Sequence, residues 1–143
     1  MSDKLMNTLQ RLQQLRQQAL NQATSQLAQQ KQLCQRYQNN INALASLTHF
    51  ALTPVVGAAL MTNSASYKRH IQRVIDWQKQ EQVLANIEAG KLQTHLQQQA
   101  RREKIVAVVL EQQQQQCQME QGRREQKTTD GLAAQCWQRH RAG

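Results

Sequence analysis

Cysteine and histidine are the residues of this chain that could support a metal site or nucleophilic catalysis. Cys136 and His140 are four residues apart, so on a helix they would share a face and could form half of a zinc site. The sequence offers no second pair at metal-ligand spacing, and Cys34 and Cys117 stand alone. We therefore predict no metal site, and we interpret Cys34 as a small apolar residue of a helix interface.

Motifs of enzymes and of secreted or membrane proteins are also missing from the sequence. It contains no phosphate-binding glycine loop, no HExxH and no GxSxG, so we predict neither a catalytic centre nor a cofactor. The three cysteines include no CxxC pair, which favours a reducing cytoplasm. We expect neither a signal peptide nor a transmembrane helix, because no long apolar stretch occurs.

The composition is typical of long helices rather than of a compact globule. Aromatic residues make up 3% of the 143, and there are one proline and five glycines. The net charge of +9 indicates an acidic partner, which could be a protein, a nucleic acid or an anionic membrane. Basic pairs such as Arg101-Arg102 would suit nucleic acid, but the scarcity of aromatic side chains for base stacking weighs against it.

Heptad spacing predicts a first helix over residues 3–48. Apolar residues alternate at intervals of three and four along its second half, as at the interface of a coiled coil. These positions are Leu20, Ala23, Leu27, Gln30, Cys34, Tyr37, Ile41 and Leu44. Upstream, Leu5, Leu9 and Leu12 follow a shifted register, which predicts a stutter near residues 15–19.

A second helix is predicted over residues 66–139, after a connector at 49–65. Pro54 and Gly57 interrupt the helical pattern, and serines at 64 and 66 could cap the next helix. Gly131 is a position where that helix could end or kink. The apolar stripe of this helix is poorer than the first, with polar residues in many of its slots; it comprises Tyr67, Ile71, Val74, Ala85, Leu92, Val106 and Val109.

The predicted fold class is all-α: two long helices in an antiparallel coiled-coil hairpin, forming a single domain over residues 1–143. A turn centred near residue 57 would place Leu5 opposite Leu110 and Leu9 opposite Val106. Residues after about 111 should then overhang as a single helix. The alternative for 105–110 is a buried β-strand, which lacks a second strand to pair with.

Trp77 is the aromatic residue that most suggests a partner surface. It falls one position off the stripe of Ile71 and Val74, so it would lie at the border of a thin coiled coil with no core to receive it.

Three segments, taken in order and spacing, resemble the FliJ family of the flagellar type III export apparatus. They are residues 32–39 (QLCQRYQN), 67–74 (YKRHIQRV) and 126–133 (QKTTDGLA). The resemblance implies a non-enzymatic, antiparallel coiled-coil stalk similar to the central shaft of rotary ATPases. Its implied partners are the hexameric export ATPase, the cytoplasmic domain of the export-gate membrane protein, and export chaperones. Its implied place is cytoplasmic, peripheral at the inner membrane, in a system serving motility and chemotaxis.

The resemblance also implies which residues bind. The export-gate surface would comprise Gln30, Cys34, Tyr37, Ile41, His70, Val74, Trp77 and Glu81. Basic charge would suit an acidic lumen of the ATPase ring, so the expected contacts there are Arg101, Arg102, Arg123 and Arg124. Two alternatives stay open, namely the equivalent stalk of an injectisome and a basic coiled coil associated with nucleic acid.

Overall fold

The computed structural model describes residues 2–50 and 58–142 of the chain, and all of them are helical. Helix α1 spans Ser2–Phe50 and helix α2 spans Ala58–Ala142. The two long helices pack against each other, which confirms the predicted all-α hairpin. Residues 105–110 lie within α2, so the β-strand alternative is wrong.

Helix α2 begins before its predicted start at residue 66, because the segment containing Ser64 and Ser66 is itself helical and does not cap a helix. It also continues through Gly131 to Ala142, so that glycine does not end it. Of the predicted connector at 49–65, residues 51–57, with Pro54 and Gly57, lie outside the described residues.

The chain divides into two compact units, each containing parts of both helices. Leu20–Gln99 forms one, here called the connector unit. Met1–Ala19 and Ala100–Gly143 form the other, here called the terminal unit.

Helix α1 buries one stripe, which forms its side of the seam between the helices. One series of shielded positions alternates at intervals of three and four: Leu9, Gln13, Arg16, Leu20, Ala23, Leu27, Gln30, Cys34, Tyr37, Ile41 and Leu44. Half-buried residues such as Leu12, Ala19 and Leu33 flank this series. The predicted stripe from Leu20 to Leu44 is therefore correct. The predicted stutter is not found over the described residues of α1. Half-buried Gln13 and Arg16 continue the three-four spacing from Leu9 to Leu20, while Leu15 is 60% exposed.

Helix α2 buries a stripe that differs from the predicted one at every second position. Its members are Ile71, Ile75, Gln78, Gln82, Ala85, Ala89, Leu92, Leu96, Gln99, Glu103, Val106, Leu110, Gln113 and Cys117. Val74 and Val109 were expected in the seam but are 41% and 38% exposed. The observed phase places Ile75, Leu96 and Leu110 in the seam, where the predicted phase would have placed Val74, His95 and Val109. It therefore shields more apolar area, although it also half-buries Glu103.

Contacts within each unit set how the helices are aligned. In the connector unit, Gln30 Nε2 donates a 3.0 Å hydrogen bond to the Ala85 carbonyl oxygen, and Ile41 packs with Ile71 and Ile75.

In the terminal unit, Lys4, Leu5 and Thr8 of α1 line one shallow cavity together with residues of α2 from Gln113 to Glu120. Leu5 therefore lies beside Gln113 and Cys117 rather than opposite Leu110 as predicted. In the terminal unit the pairing is therefore displaced by about one helical turn from the predicted one.

The exposed end of α2 begins later than expected. Cys117 is still half-buried, whereas every residue from 118 to 142 is exposed. The prediction that the helix overhangs is correct in kind, but the overhang starts after Cys117 instead of after about residue 111.

Candidate functional site

The α2 half of the expected export-gate surface forms one continuous stripe. His70, Val74, Trp77 and Glu81 each directly precede a residue of the seam, so they follow its edge. His70, Val74 and Trp77 are exposed, and the indole of Trp77 is the largest of the three side chains, at 55% exposure. Glu81 is half-buried. This stripe, here called the Trp77 stripe, combines an aromatic and an aliphatic side chain with one ionisable group at each end.

The α1 half of the same expected surface lies in the seam itself. Ile41 is 8% exposed and packs in the cluster with Ile71 and Ile75, while Gln30, Cys34 and Tyr37 are half-buried. The Gln30 amide is already committed to the Ala85 carbonyl. Gln30 and Ile41 therefore hold α1 against α2, and only the partly exposed edges of these four residues are open to a partner.

Polar contacts across the seam fix the position of the Trp77 stripe. Asn40 Nδ2 donates to Gln78 Oε1 at 3.5 Å, and Gln82 Nε2 donates to Gln38 Oε1 at 2.7 Å. Gln78 follows Trp77 directly and Gln82 follows Glu81 directly. Because amide side chains pair only at particular distances and angles, these contacts select one alignment of the helices and thereby orient the stripe.

Three exposed aliphatic residues lie close to the Trp77 stripe along α2. Val83, Leu84 and Ile87 are 57%, 61% and 53% exposed. None of the three was expected at a partner surface, although Leu84 stands one heptad after Trp77 and could have been found from that spacing. With these residues, the apolar surface of α2 in the connector unit extends well beyond the expected set.

The expected ATPase-ring contacts all lie in the terminal unit and are exposed. Arg101 and Arg102 belong to the part of α2 that pairs with α1. Arg123 and Arg124 lie on the exposed end after Cys117. Within the described residues, none of these four guanidinium groups forms an ion pair, so their charge is available to an acidic surface.

The cysteine and histidine residues were the candidates for a metal site. Among the residues that the structure describes, no group of three or more potential ligands converges. Cys136 is exposed, and near it the Arg141 guanidinium lies 5.0 Å from the centre of the Trp137 ring. No described helix is long and apolar enough to cross a membrane.

Comparison with known proteins identifies one family. The model of the flagellar FliJ protein family matches residues 6–142, nearly the whole chain. This match confirms the family suggested by the three sequence segments. Neither the curated proteins nor the solved structures include a significant match.

Proposed function

Because this chain belongs to the FliJ family, whose members are non-catalytic components of flagellar type III export, we propose that it is a stalk and coupling protein. It links the hexameric export ATPase to the cytoplasmic domain of the export-gate membrane protein, and it also handles export chaperones. It acts in the cytoplasm, held at the inner membrane through these partners. The observation that carries this proposal is the family match over residues 6–142 of a two-helix hairpin.

The Trp77 stripe supports the gate-binding part of the proposal. An exposed tryptophan beside an exposed valine is a typical anchor of a protein interface, because burying it removes much apolar area from water. The seam beneath it holds the stripe on a rigid helix pair, so little conformational entropy is lost on binding. His70 and Glu81 provide polar contacts at its two ends.

The exposed arginines support the ATPase-binding part. Arg101, Arg102, Arg123 and Arg124 present exposed positive charge on a helix that is otherwise rich in glutamine. Such a surface would be attracted to an acidic ring lumen without adhering tightly to any single position in it.

The gate-binding proposal is tested by a pair of tryptophan variants. The cytoplasmic domain of the export-gate protein is immobilised, and the full-length chain is titrated over it. Trp77→Ala should weaken binding at least tenfold, as expected for an interface anchor. Trp137→Ala is the matched control, because Trp137 is similarly exposed, at 61%, but lies in the terminal unit.

Two further measurements separate the parts of the proposal. Helicity measured by circular dichroism should be the same in both variants, since neither tryptophan is buried. If Trp77→Ala keeps full gate affinity, the Trp77 stripe is not the gate surface. If the chain neither co-purifies with the hexameric ATPase nor changes its hydrolysis rate, the coupling role itself is wrong.

A further inference from the structure

A group of aliphatic side chains in the terminal unit faces away from the other helix. Ile105, Val108 and Val109 are 63%, 44% and 38% exposed, whereas their neighbours Val106 and Leu110 are buried in the seam. The three exposed residues form, together with Arg101 and Lys104, one open surface on the outer side of α2. This surface is here called the Ile105 face.

The fold does not account for these side chains. The seam takes only Val106 and Leu110 from this segment, so Ile105, Val108 and Val109 contribute little to packing α1. Helix propensity does not explain them either, because β-branched residues are poorer helix formers than glutamine, lysine and alanine, which are frequent in α2. Three exposed β-branched residues within five positions therefore point to a covered surface.

We propose that the Ile105 face binds an acidic amphipathic helix of a partner protein. Ile105, Val108 and Val109 stand at i, i+3 and i+4, which is the spacing that accepts the apolar stripe of another helix. Arg101 and Lys104 lie beside these aliphatic residues and are exposed. They supply positive charge where acidic residues would flank the apolar stripe of the partner helix.

Charge complementarity selects this occupant over the others. A second copy of the chain would bring its own Arg101 and Lys104 against the same charges, which disfavours self-association. Nucleic acid would contact the positive charge but would leave the aliphatic side chains exposed to water. A membrane would use both, but three aliphatic residues with no aromatic anchor offer little area for insertion.

A binding site for a partner helix goes beyond the proposed stalk function, because Ile105, Val108 and Val109 are not among the expected ATPase contacts. Arg101 is common to both proposals. The variants that decide this inference therefore change the aliphatic residues and leave the arginines in place.

The test uses a fluorescein-labelled synthetic peptide of about 20 residues, long enough to be helical, with leucines on one face and glutamates flanking them. Its binding to the full-length chain is followed by fluorescence anisotropy. The double variant Ile105→Gln with Val108→Gln should weaken binding at least tenfold. The matched control, Val83→Gln with Ile87→Gln, replaces two similarly exposed aliphatic residues in the connector unit and should stay within twofold of wild type.

Companion probes identify which chemistry is recognised. A peptide with lysine in place of glutamate, and one with glutamine in place of leucine, should each bind at least tenfold more weakly. Equal binding of either peptide would overturn the proposal, as would an equal loss in the two double variants. It would also be overturned if vesicles of phosphatidylglycerol and phosphatidylcholine bound through Ile105 and Val108 while the acidic peptide did not.

A second variant keeps the test independent of folding. Arg101→Gln with Lys104→Gln changes only exposed polar side chains, so the helix should be retained. It should lower affinity for the acidic peptide and reduce the dependence of that affinity on salt. An unchanged affinity and salt dependence would show that charge does not select the occupant.

Discussion

The phase of α2 can be tested with two neighbouring residues. Val74 and Ile75 are adjacent and both aliphatic, yet Val74 is 41% exposed while Ile75 is 6% exposed and packs with Ile41 and Ile71. Truncating each to alanine should therefore have very different effects on stability. We expect Ile75→Ala to be strongly destabilising and Val74→Ala to be nearly neutral.

The magnitudes follow from the burial of each side chain. Ile75→Ala removes three carbons that are almost completely shielded from water, a loss of about 2.4 kcal/mol from transfer alone and of about 2–4 kcal/mol once the cavity is included. Val74→Ala removes two carbons that are little more than half shielded, which lowers the free energy of unfolding by about 1 kcal/mol. The better helix propensity of alanine offsets about 0.5 kcal/mol of that loss. The net cost of Val74→Ala is therefore about 0.5 kcal/mol.

Urea unfolding followed by circular dichroism at 222 nm measures both free energies. The two variants should share the wild-type slope and differ in midpoint, with Ile75→Ala the lower by a wide margin. If Val74→Ala cost as much as Ile75→Ala, the seam would run through Val74, and the observed phase of α2 would be refuted.

Three further predictions concern the seam, a glycine and the arginines. Leu27→Asp places a charge at a position that is 6% exposed, so it should lower the free energy of unfolding by about 3–5 kcal/mol and abolish much of the helical signal. Gln29→Asp is the control, because Gln29 is exposed and its replacement should have neither effect. Retained helicity in Leu27→Asp would contradict the seam. Gly90 lies inside α2 with open space around an added Cβ, so Gly90→Ala should raise the free energy of unfolding by about 0.5–1 kcal/mol; a lower melting temperature would show that the glycine is required. Replacing Arg101, Arg102, Arg123 and Arg124 together by glutamine should weaken binding to the ATPase ring and reduce its salt dependence; if neither changed, the charge-based contact would be abandoned.

The candidate surface was predictable from sequence only in part. Trp77 stood out because a large aromatic residue fell beside the heptad stripe, and it is indeed exposed. Ile41 and Gln30 were assigned to the same surface by family resemblance and to the helix interface by heptad spacing, and both are shielded in the seam. The exposed aliphatic residues Leu84 and Ile105 were missed, because periodicity reports which residues can share a face and not which face is covered.

The sequence alone determined that the chain is two long helices and which face α1 buries. Local spacing was enough there, because the seam of α1 from Leu20 to Leu44 is marked by one clear series of mostly apolar residues. Only the tertiary structure decided the phase of α2 and the alignment of the helices. In α2, Val74 and Ile75 are both apolar, and glutamines occupy many interface positions, so the helix has two nearly equivalent faces. The choice between these faces depends on the side chains that α1 presents.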